Sequence, residues 1–134
     1  LNMRKHFITL SILFTSLLIL QACSPSSNVE DTFADVEKVT VEKINVDGSR
    51  ELLFEVSEQE QLTKIIECID LNTNGISGCE FAALLTFHVP NGKIEGSCNF
   101  SEDCKSMSYT YNSNFYTKAL TNDGAKYLRL LTGF

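Results

Sequence analysis

The chain has 134 residues, a net charge of −6 at pH 7 and hydrophobic side chains at 43% of its positions. This length suits one domain with a modest core. The excess of acidic residues argues against binding to nucleic acid or to anionic lipid headgroups, because both favour a basic surface. The acidic balance is compatible with a basic protein partner or with cations.

The N-terminal segment has the pattern of a secretory signal peptide. Met3-Arg4-Lys5 provides a short positive start, and the apolar stretch 7–20 that follows is too short for an ordinary membrane span. The stretch ends at Leu20-Gln21-Ala22-Cys23, which resembles the lipobox of bacterial lipoproteins. The segment is therefore set aside when the fold is predicted.

The lipobox resemblance implies how the chain is processed and where it resides. In lipoproteins the chain is cut before the cysteine, whose thiol carries lipid and whose new amino group is acylated with a chain such as palmitate. Residues 1–22 are then the signal peptide, and Cys23 is the anchored first mature residue. Ser24 follows it rather than Asp, which in a Gram-negative cell implies the periplasmic face of the outer membrane. Several acyl chains on one residue anchor a protein firmly.

Removal of residues 1–22 makes the chain more acidic. Arg4 and Lys5 are lost with that segment, and the remaining 9 basic and 17 acidic residues give a net charge of −8. Residues 23–35 are polar and carry three acids, so they are predicted to be a flexible tether. Residues 36–134 then form a single small domain.

The first part of the domain predicts a β-hairpin. Apolar residues alternate over 39–46 and again over 52–56, on either side of an Asp47-Gly48-Ser49 turn. The alternation changes phase after Val41, which predicts a bulge near Glu42-Lys43.

A helix over about residues 58–70 is predicted next. Ser57 and Glu60 have the spacing of a capping box, in which each side chain bonds the backbone N–H of the other residue. The positions after them carry an apolar stripe at helical spacing, made of Leu62, Ile65, Ile66 and Ile69.

The second half of the domain predicts further strands and a final helix. Residues 81–89 and 93–100 flank Pro90-Asn91-Gly92 and form a second hairpin. One or two more strands are expected over 106–111 and 115–120. Thr121 or Asn122 is then expected to cap a short C-terminal helix with an apolar stripe of Ala125, Leu128 and Leu131. The predicted fold is α+β, an antiparallel sheet of two hairpins with one helix packed on it and a short C-terminal helix.

The four remaining cysteines predict two disulfides in an oxidising envelope; they are Cys68, Cys79, Cys98 and Cys104. Zinc is disfavoured because no C-x2-C pair occurs. The hairpin turning at residues 90–92 places Cys79 near Cys104, which leaves Cys68 to pair with Cys98. Pairing of Cys68 with Cys79 and of Cys98 with Cys104 is the main competing pattern, because it closes short loops. Pairing of Cys68 with Cys104 and of Cys79 with Cys98 fits the hairpin register poorly.

The stretch 70–81 resembles an EF-hand calcium loop. Its oxygen ligands would be Asp70, Asn72, Asn74 and Glu80, with a helix before the loop and a second helix after it. The loop lacks one residue after Gly75, so Glu80 falls at the eleventh place instead of the twelfth. The preferred interpretation is therefore a polar turn, and calcium binding is kept as the alternative.

No residues predict an enzyme or a bound cofactor. His88 is the only histidine after position 22, and it has no catalytic partner near it in sequence. Tyr109, Tyr111 and Tyr116 are candidate binding residues, since tyrosine is favoured at interfaces, but it is equally favoured in strands. The predicted function is a lipid-anchored, non-catalytic module that binds an envelope protein or peptide through a sheet edge or its tyrosine-rich strands.

The lipobox interpretation is tested at Cys23. We expect Cys23→Ser to abolish incorporation of a labelled fatty acid and to leave unprocessed or mislocalised precursor, since the lipid-bearing thiol is lost. The measurement is fatty-acid labelling with detergent phase partitioning. A Cys23→Ser protein that is cleaved normally and still partitions with membranes would contradict the interpretation.

Overall fold

The computed structural model describes residues 32–134 of the chain. This part folds into seven strands and two helices: β1 (Lys38–Ile44), β2 (Arg50–Val56), α1 (Gln59–Glu67), β3 (Ile69–Asn74), β4 (Ala83–Val89), β5 (Gly92–Asn99), β6 (Ser106–Tyr111), β7 (Asn114–Leu120) and α2 (Asn122–Thr132). The predicted signal peptide, Cys23 and most of the predicted tether lie outside the described residues.

All seven strands belong to one antiparallel sheet in the order β2-β1-β4-β5-β6-β7-β3. The α+β class and the C-terminal helix are confirmed. The sheet is larger than two hairpins, since β6 and β7 form a third one and β3 pairs with β7. Strands β2 and β3 are the two edges.

The first hairpin contains the predicted turn and bulge. Gly48 has φ of 80°, and the Asp47 carboxylate accepts hydrogen bonds from the Ser49 N–H and hydroxyl at 2.9 and 2.6 Å. Between β1 and β2 the register shifts at Val41/Glu42. The extra residue is Leu53 of β2, so the bulge lies at the predicted level but on the opposite strand.

The cap predicted for the first helix is wrong. Helix α1 begins one residue later than the capping box requires, because Glu58, with φ −73° and ψ 127°, occupies the N-cap and makes no side-chain cap bond. The Glu60 carboxylate accepts from Lys64 Nζ at 2.9 Å instead of reaching back to Ser57. The apolar stripe is confirmed at Leu62 and Ile65, which are buried. The predicted C-terminal end is wrong, because the helix ends at Glu67 and Ile69 is the first residue of β3.

The last helix begins as predicted. The Thr121 hydroxyl accepts a hydrogen bond from the Gly124 N–H at 2.9 Å, which caps α2. Gly124 is required there, because a Cβ would lie 2.5 Å from the Cα of Cys68 at the end of α1. The helix buries Ala125 and Leu128, whereas Leu131 stays 37% exposed.

The two faces of the sheet differ in composition. The apolar face packs against both helices and carries Val39, Val41, Leu85, Phe87, Ile94, Cys98, Met107 and Tyr109. The opposite face, which we call the helix-free face, alternates with it and carries Thr40, Glu42, Leu84, Thr86, Glu95, Ser97, Ser108 and Thr117. No helix of the described residues covers this second face, yet Leu84, Thr86 and Ser108 on its central strands are buried.

The domain begins earlier than position 36. Phe33 is 2% exposed, and its ring centroid lies 4.6 Å from that of Phe87 and 5.4 Å from that of Tyr109. Thr32 is also buried. Thr32 and Phe33 therefore belong to the folded domain rather than to the tether predicted over 23–35.

The α1 connection forces the sheet to curve. Six strand spacings of about 4.8 Å would place β2 and β3 about 29 Å apart if the sheet were flat. Val56 and Ile69 also lie at opposite ends of their strands, which adds about 17 Å along the strand direction. The chain between them, mostly helix, reaches only about 27 Å. The sheet must therefore bend around the two helices.

The two helix caps give a paired stability test. We expect Thr121→Ala to lower the free energy of unfolding by about 1 kcal/mol, because the Gly124 N–H loses its acceptor. Ser57→Ala should change it by less than about 0.5 kcal/mol, because Ser57 is exposed and caps nothing. Urea unfolding of both variants measures the difference. A larger effect at Ser57 than at Thr121 would contradict the cap assignment.

Candidate functional site

The tyrosine-rich strands contribute mainly to the core. Tyr109 is 2% exposed and stacks on Tyr116 with ring centroids 5.3 Å apart. Burial, with a smaller effect from Tyr116, raises the pKa of Tyr109 to about 12. Tyr109 therefore does not offer a binding surface, and its candidacy is wrong. Tyr111 and Tyr116 are half-buried and also pack against the core cluster.

A cleft of about 480 Å³ lies at the end of the sheet that carries the β4–β5 and β6–β7 turns. It is lined by Thr32, Asp35, residues 89–94 and residues 110–112. Tyr111 is the one tyrosine candidate that reaches it. Asp35 and Lys93 are its only charged lining residues and have opposite signs, so the cleft has no marked charge preference.

The residues proposed as calcium ligands do not lie in the helix–loop–helix arrangement that an EF-hand requires. The stretch forms strand β3 and a loop, and the predicted second helix is wrong, because β4 begins at Ala83. Asp70 Oδ1 accepts from the Asn72 N–H at 3.1 Å, and Asn74 Oδ1 accepts from Lys118 Nζ at 3.1 Å. Glu80 is exposed in the loop. The positive charge of Lys118 beside Asn74 disfavours the binding of a cation at this position.

No metal site is assembled elsewhere in residues 32–134. In this part of the chain, no three His, Cys, Asp or Glu side chains lie close enough together to bind a metal ion. His88 is half-buried, and its Nε2 lies 2.9 Å from the Thr40 hydroxyl on the helix-free face. This contact joins neighbouring strands and brings no carboxylate or thiol to the ring.

The loop over residues 75–82, which we call the crossing loop, connects β3 to β4 and passes β7, β6 and β5 at one end of the helix-free face. The Gly75 N–H donates to the Thr117 carbonyl at 2.9 Å, and the Ser106 hydroxyl donates to the Ile76 carbonyl at 3.1 Å. Further along, the Asn99 amide bonds the Glu80 carbonyl. The loop thus bridges β6 and β5 and leaves Ser106 only 1% exposed.

The crossing loop is also held by the predicted disulfide. Cys79 is bonded to Cys104, with their Cα atoms 6.3 Å apart. The β4–β5 ladder ends at the pair Ala83 and Cys98, so the bond joins the loops just beyond the hairpin base. The reasoning from the 90–92 turn therefore located this pair correctly.

The second predicted disulfide is not formed. Cys68 and Cys98 are buried free thiols, and the Cys68 thiol donates to the Lys64 carbonyl at 3.1 Å. Burial raises the pKa of Cys68 to about 11 and raises the pKa of Cys98 still further. Both thiols are protonated and inert at neutral pH.

Among the described residues, β2 offers the longer open backbone edge, although the bulge at Leu53 interrupts its ladder with β1. Strand β2 spans seven residues and pairs only with β1. At the other edge, β3 pairs with β7 through Ile69, Asp70 and Asn74 alone, and residues 71–73 leave the ladder. A strand from another chain therefore has a better template at β2 than at β3.

The hydrogen bonds of the first hairpin show which groups of β2 face outward. The Asn45 N–H donates to the Ser49 carbonyl at 2.9 Å, and bonded pairs alternate with unbonded pairs along an antiparallel ladder. The pairs of Ile44 with Arg50 and of Glu42 with Leu52 are therefore unbonded. Arg50 and Leu52 turn their N–H and C=O groups away from β1, toward the open edge.

Apolar and charged side chains both flank this edge. Leu52 is 57% exposed on the helix-free face, while Leu53 and Phe54 are half-buried at the margin of the core. Arg50 and Glu51 precede them and Glu55 follows, all exposed. Sequence reasoning identified the strand but not its position, since alternation does not distinguish an edge strand from a central one.

The chain matches no protein-family model, no curated protein and no solved structure at a significant level. Within residues 32–134, none of the helices is both long enough and apolar enough to cross a membrane.

Counting thiols tests the cysteine arrangement. Among the four cysteines of residues 32–134, a thiol reagent should detect none that reacts rapidly in the folded state, since both free thiols are buried with raised pKa values. It should detect two in denaturant and four after denaturation and reduction. Two free thiols that map to Cys79 and Cys104, or none in denaturant, would contradict the arrangement. The second result would mean that Cys68 and Cys98 are also bonded.

Proposed function

We propose that this chain is a lipid-anchored cell-envelope protein whose domain binds a protein or peptide segment along the outer edge of β2, without catalysis. The observation that carries the proposal is the open backbone edge of β2. An extended segment that adds as a new strand satisfies the outward N–H and C=O groups of Arg50 and Leu52.

The apolar residues of β2 supply the second part of the binding surface. Leu52 projects from the helix-free face, and Leu53 and Phe54 are covered on one side only. Side chains of an added strand alternate between the two faces and so meet both groups. Burial of apolar area contributes about 25 cal/mol per Å². The edge therefore offers side-chain contacts as well as backbone bonds.

Other surfaces fit a binding role less well. The ring of Tyr109 lies inside the core, and the cleft near Tyr111 lacks a charge preference. The crossing loop occupies one end of the helix-free face and is tied down by the Cys79–Cys104 bond. Among the two routes considered from the sequence, the geometry favours the sheet edge over the tyrosine-rich strands.

The anchor part of the proposal depends on the N-terminal sequence. A positive start, a 14-residue apolar stretch and the Leu20–Cys23 motif occur in the order that lipoproteins require. Cys23 would carry the lipid and, in a Gram-negative cell, hold the domain at the periplasmic face of the outer membrane. The oxidising envelope suits the Cys79–Cys104 bond.

Proline substitution tests the edge. A random peptide library is displayed and selected against the mature protein, and the affinity of a selected peptide is measured by fluorescence anisotropy. We expect Leu52→Pro to weaken that affinity more than tenfold, because proline removes an N–H that points to the edge without removing a bond to β1. Its melting temperature should stay close to that of the unaltered protein.

Two control variants separate the backbone effect from the side-chain effect. Leu52→Ala keeps the N–H and should weaken the affinity only a few-fold. Val46→Ala changes a fully exposed residue in the hairpin turn and should leave the affinity unchanged. Equal affinities for the proline and alanine variants at position 52 would show that the edge backbone is not used.

A further inference from the structure

We infer that the β2 edge is built to take a basic strand, an extended peptide in which Lys or Arg residues flank a short apolar centre. The inference rests on the proposed edge binding and adds the chemical class of the partner. It is carried by the charges that the fold places beside the open backbone of β2.

Acidic side chains predominate along this edge. From the turn before β2 to the start of α1, the charged residues are one base, Arg50, and four acids, Asp47, Glu51, Glu55 and Glu58. The Glu55 carboxylate forms an ion pair with Lys38 Nζ at 3.6 Å, but the Glu55 side chain is still 50% exposed. Within residues 32–134, neither Glu51 nor Glu58 forms an ion pair. Arg50 and two lysines of β1, Lys38 and Lys43, balance three of these four acids, so the edge has a small excess of negative charge.

The acids lie on both faces of the sheet. Glu55 pairs with Thr40 and so projects from the helix-free face, on the same side as Leu52. Glu51 pairs with Lys43, whose ammonium lies 4.9 Å from the Phe134 ring on the helix side. An added strand has side chains on both faces as well, directly opposite those of β2 at about 5 Å. A base near each end of such a strand then meets an acid of β2.

The apolar centre of the strand follows from the same alternation. Leu52, Leu53 and Phe54 are consecutive because of the bulge, and they lie between the acidic positions 51 and 55. A peptide with two apolar residues between its basic residues matches this spacing, because the bulge leaves Glu51 and Glu55 only three ladder positions apart. An acidic peptide of the same length would place like charges opposite one another, which is unfavourable.

Labelled heptapeptides test the inference on the mature lipidated protein in a non-ionic detergent. The basic probe is Ser-Thr-Lys-Val-Leu-Lys-Thr, whose two lysines are three positions apart and therefore lie on opposite faces, as Glu51 and Glu55 do. The acidic probe has Glu in place of both lysines. Fluorescence anisotropy gives both affinities. We expect the basic probe to bind about tenfold more tightly, since two cross-strand pairs change from unfavourable to favourable. The preference should shrink when salt is raised from about 0.05 to about 0.5 M.

Charge-reversal variants test whether the preference for the basic probe arises at the β2 edge. Glu51→Lys should reduce the advantage of the basic probe several-fold. Asp103→Lys makes the same charge change in the exposed loop between β5 and β6, away from the edge, and should leave the preference nearly unchanged. An equal loss in both variants would mean that overall charge is responsible, which would overturn the inference.

The outcomes distinguish this inference from the function on which it rests. If both probes bind equally well and Leu52→Pro weakens both, edge binding stands and the charge preference is overturned. If binding of both probes is unaffected by Leu52→Pro, or neither probe binds, both the edge and its charge preference are overturned. If the basic probe alone is preferred and both Leu52→Pro and Glu51→Lys reduce its binding, the inference is confirmed.

Discussion

The short connection through α1 constrains the rest of this domain. The chain leaves the sheet at one edge, after Val56, and must return at the other edge, at Ile69, with little more than a nine-residue helix between them. A flat seven-stranded sheet is too wide for that connection. The sheet therefore bends around α1, and the concave face becomes the core. Leu62 and Ile65 fill that face because they lie on the inner side of the connecting helix.

The second helix and the N-terminal segment complete the same core. Gly124 lets α2 approach the end of α1 closely, since a side chain there would overlap Cys68. Phe33 covers Phe87 and Tyr109 beside the helices. All of this apolar material lies on one side of the sheet. The other side carries mostly hydroxyl and charged residues, with Leu84 and Leu52 among them, and is crossed at one end by the loop that the Cys79–Cys104 bond retains.

The proposed binding edge is a consequence of this strand order. The chain places its first hairpin at one margin and closes the other margin with the irregular β3, so β2 presents the longer open backbone edge. The bulge at Leu53 gives this edge a local twist, which protects edge strands from unselective pairing. The acids around β2 add a second means of selection, because they disfavour segments of like charge.

Features that depend on neighbouring residues could be derived from the sequence alone. The turns at Gly48 and at residues 90–92, the cap at Thr121, the amphipathic stripe of α1 and the Cys79–Cys104 pairing all follow from local spacing or from one hairpin. The lipobox at Cys23 is also a local pattern, and it stays a prediction outside the described residues. Only the tertiary structure decided that residues 69–74 join β7, that Tyr109 is buried, that Cys68 and Cys98 are free thiols, and that Glu58 replaces Ser57 as the N-cap. These outcomes depend on contacts between residues far apart in sequence, and the position of β2 at an edge depends on the order of all seven strands.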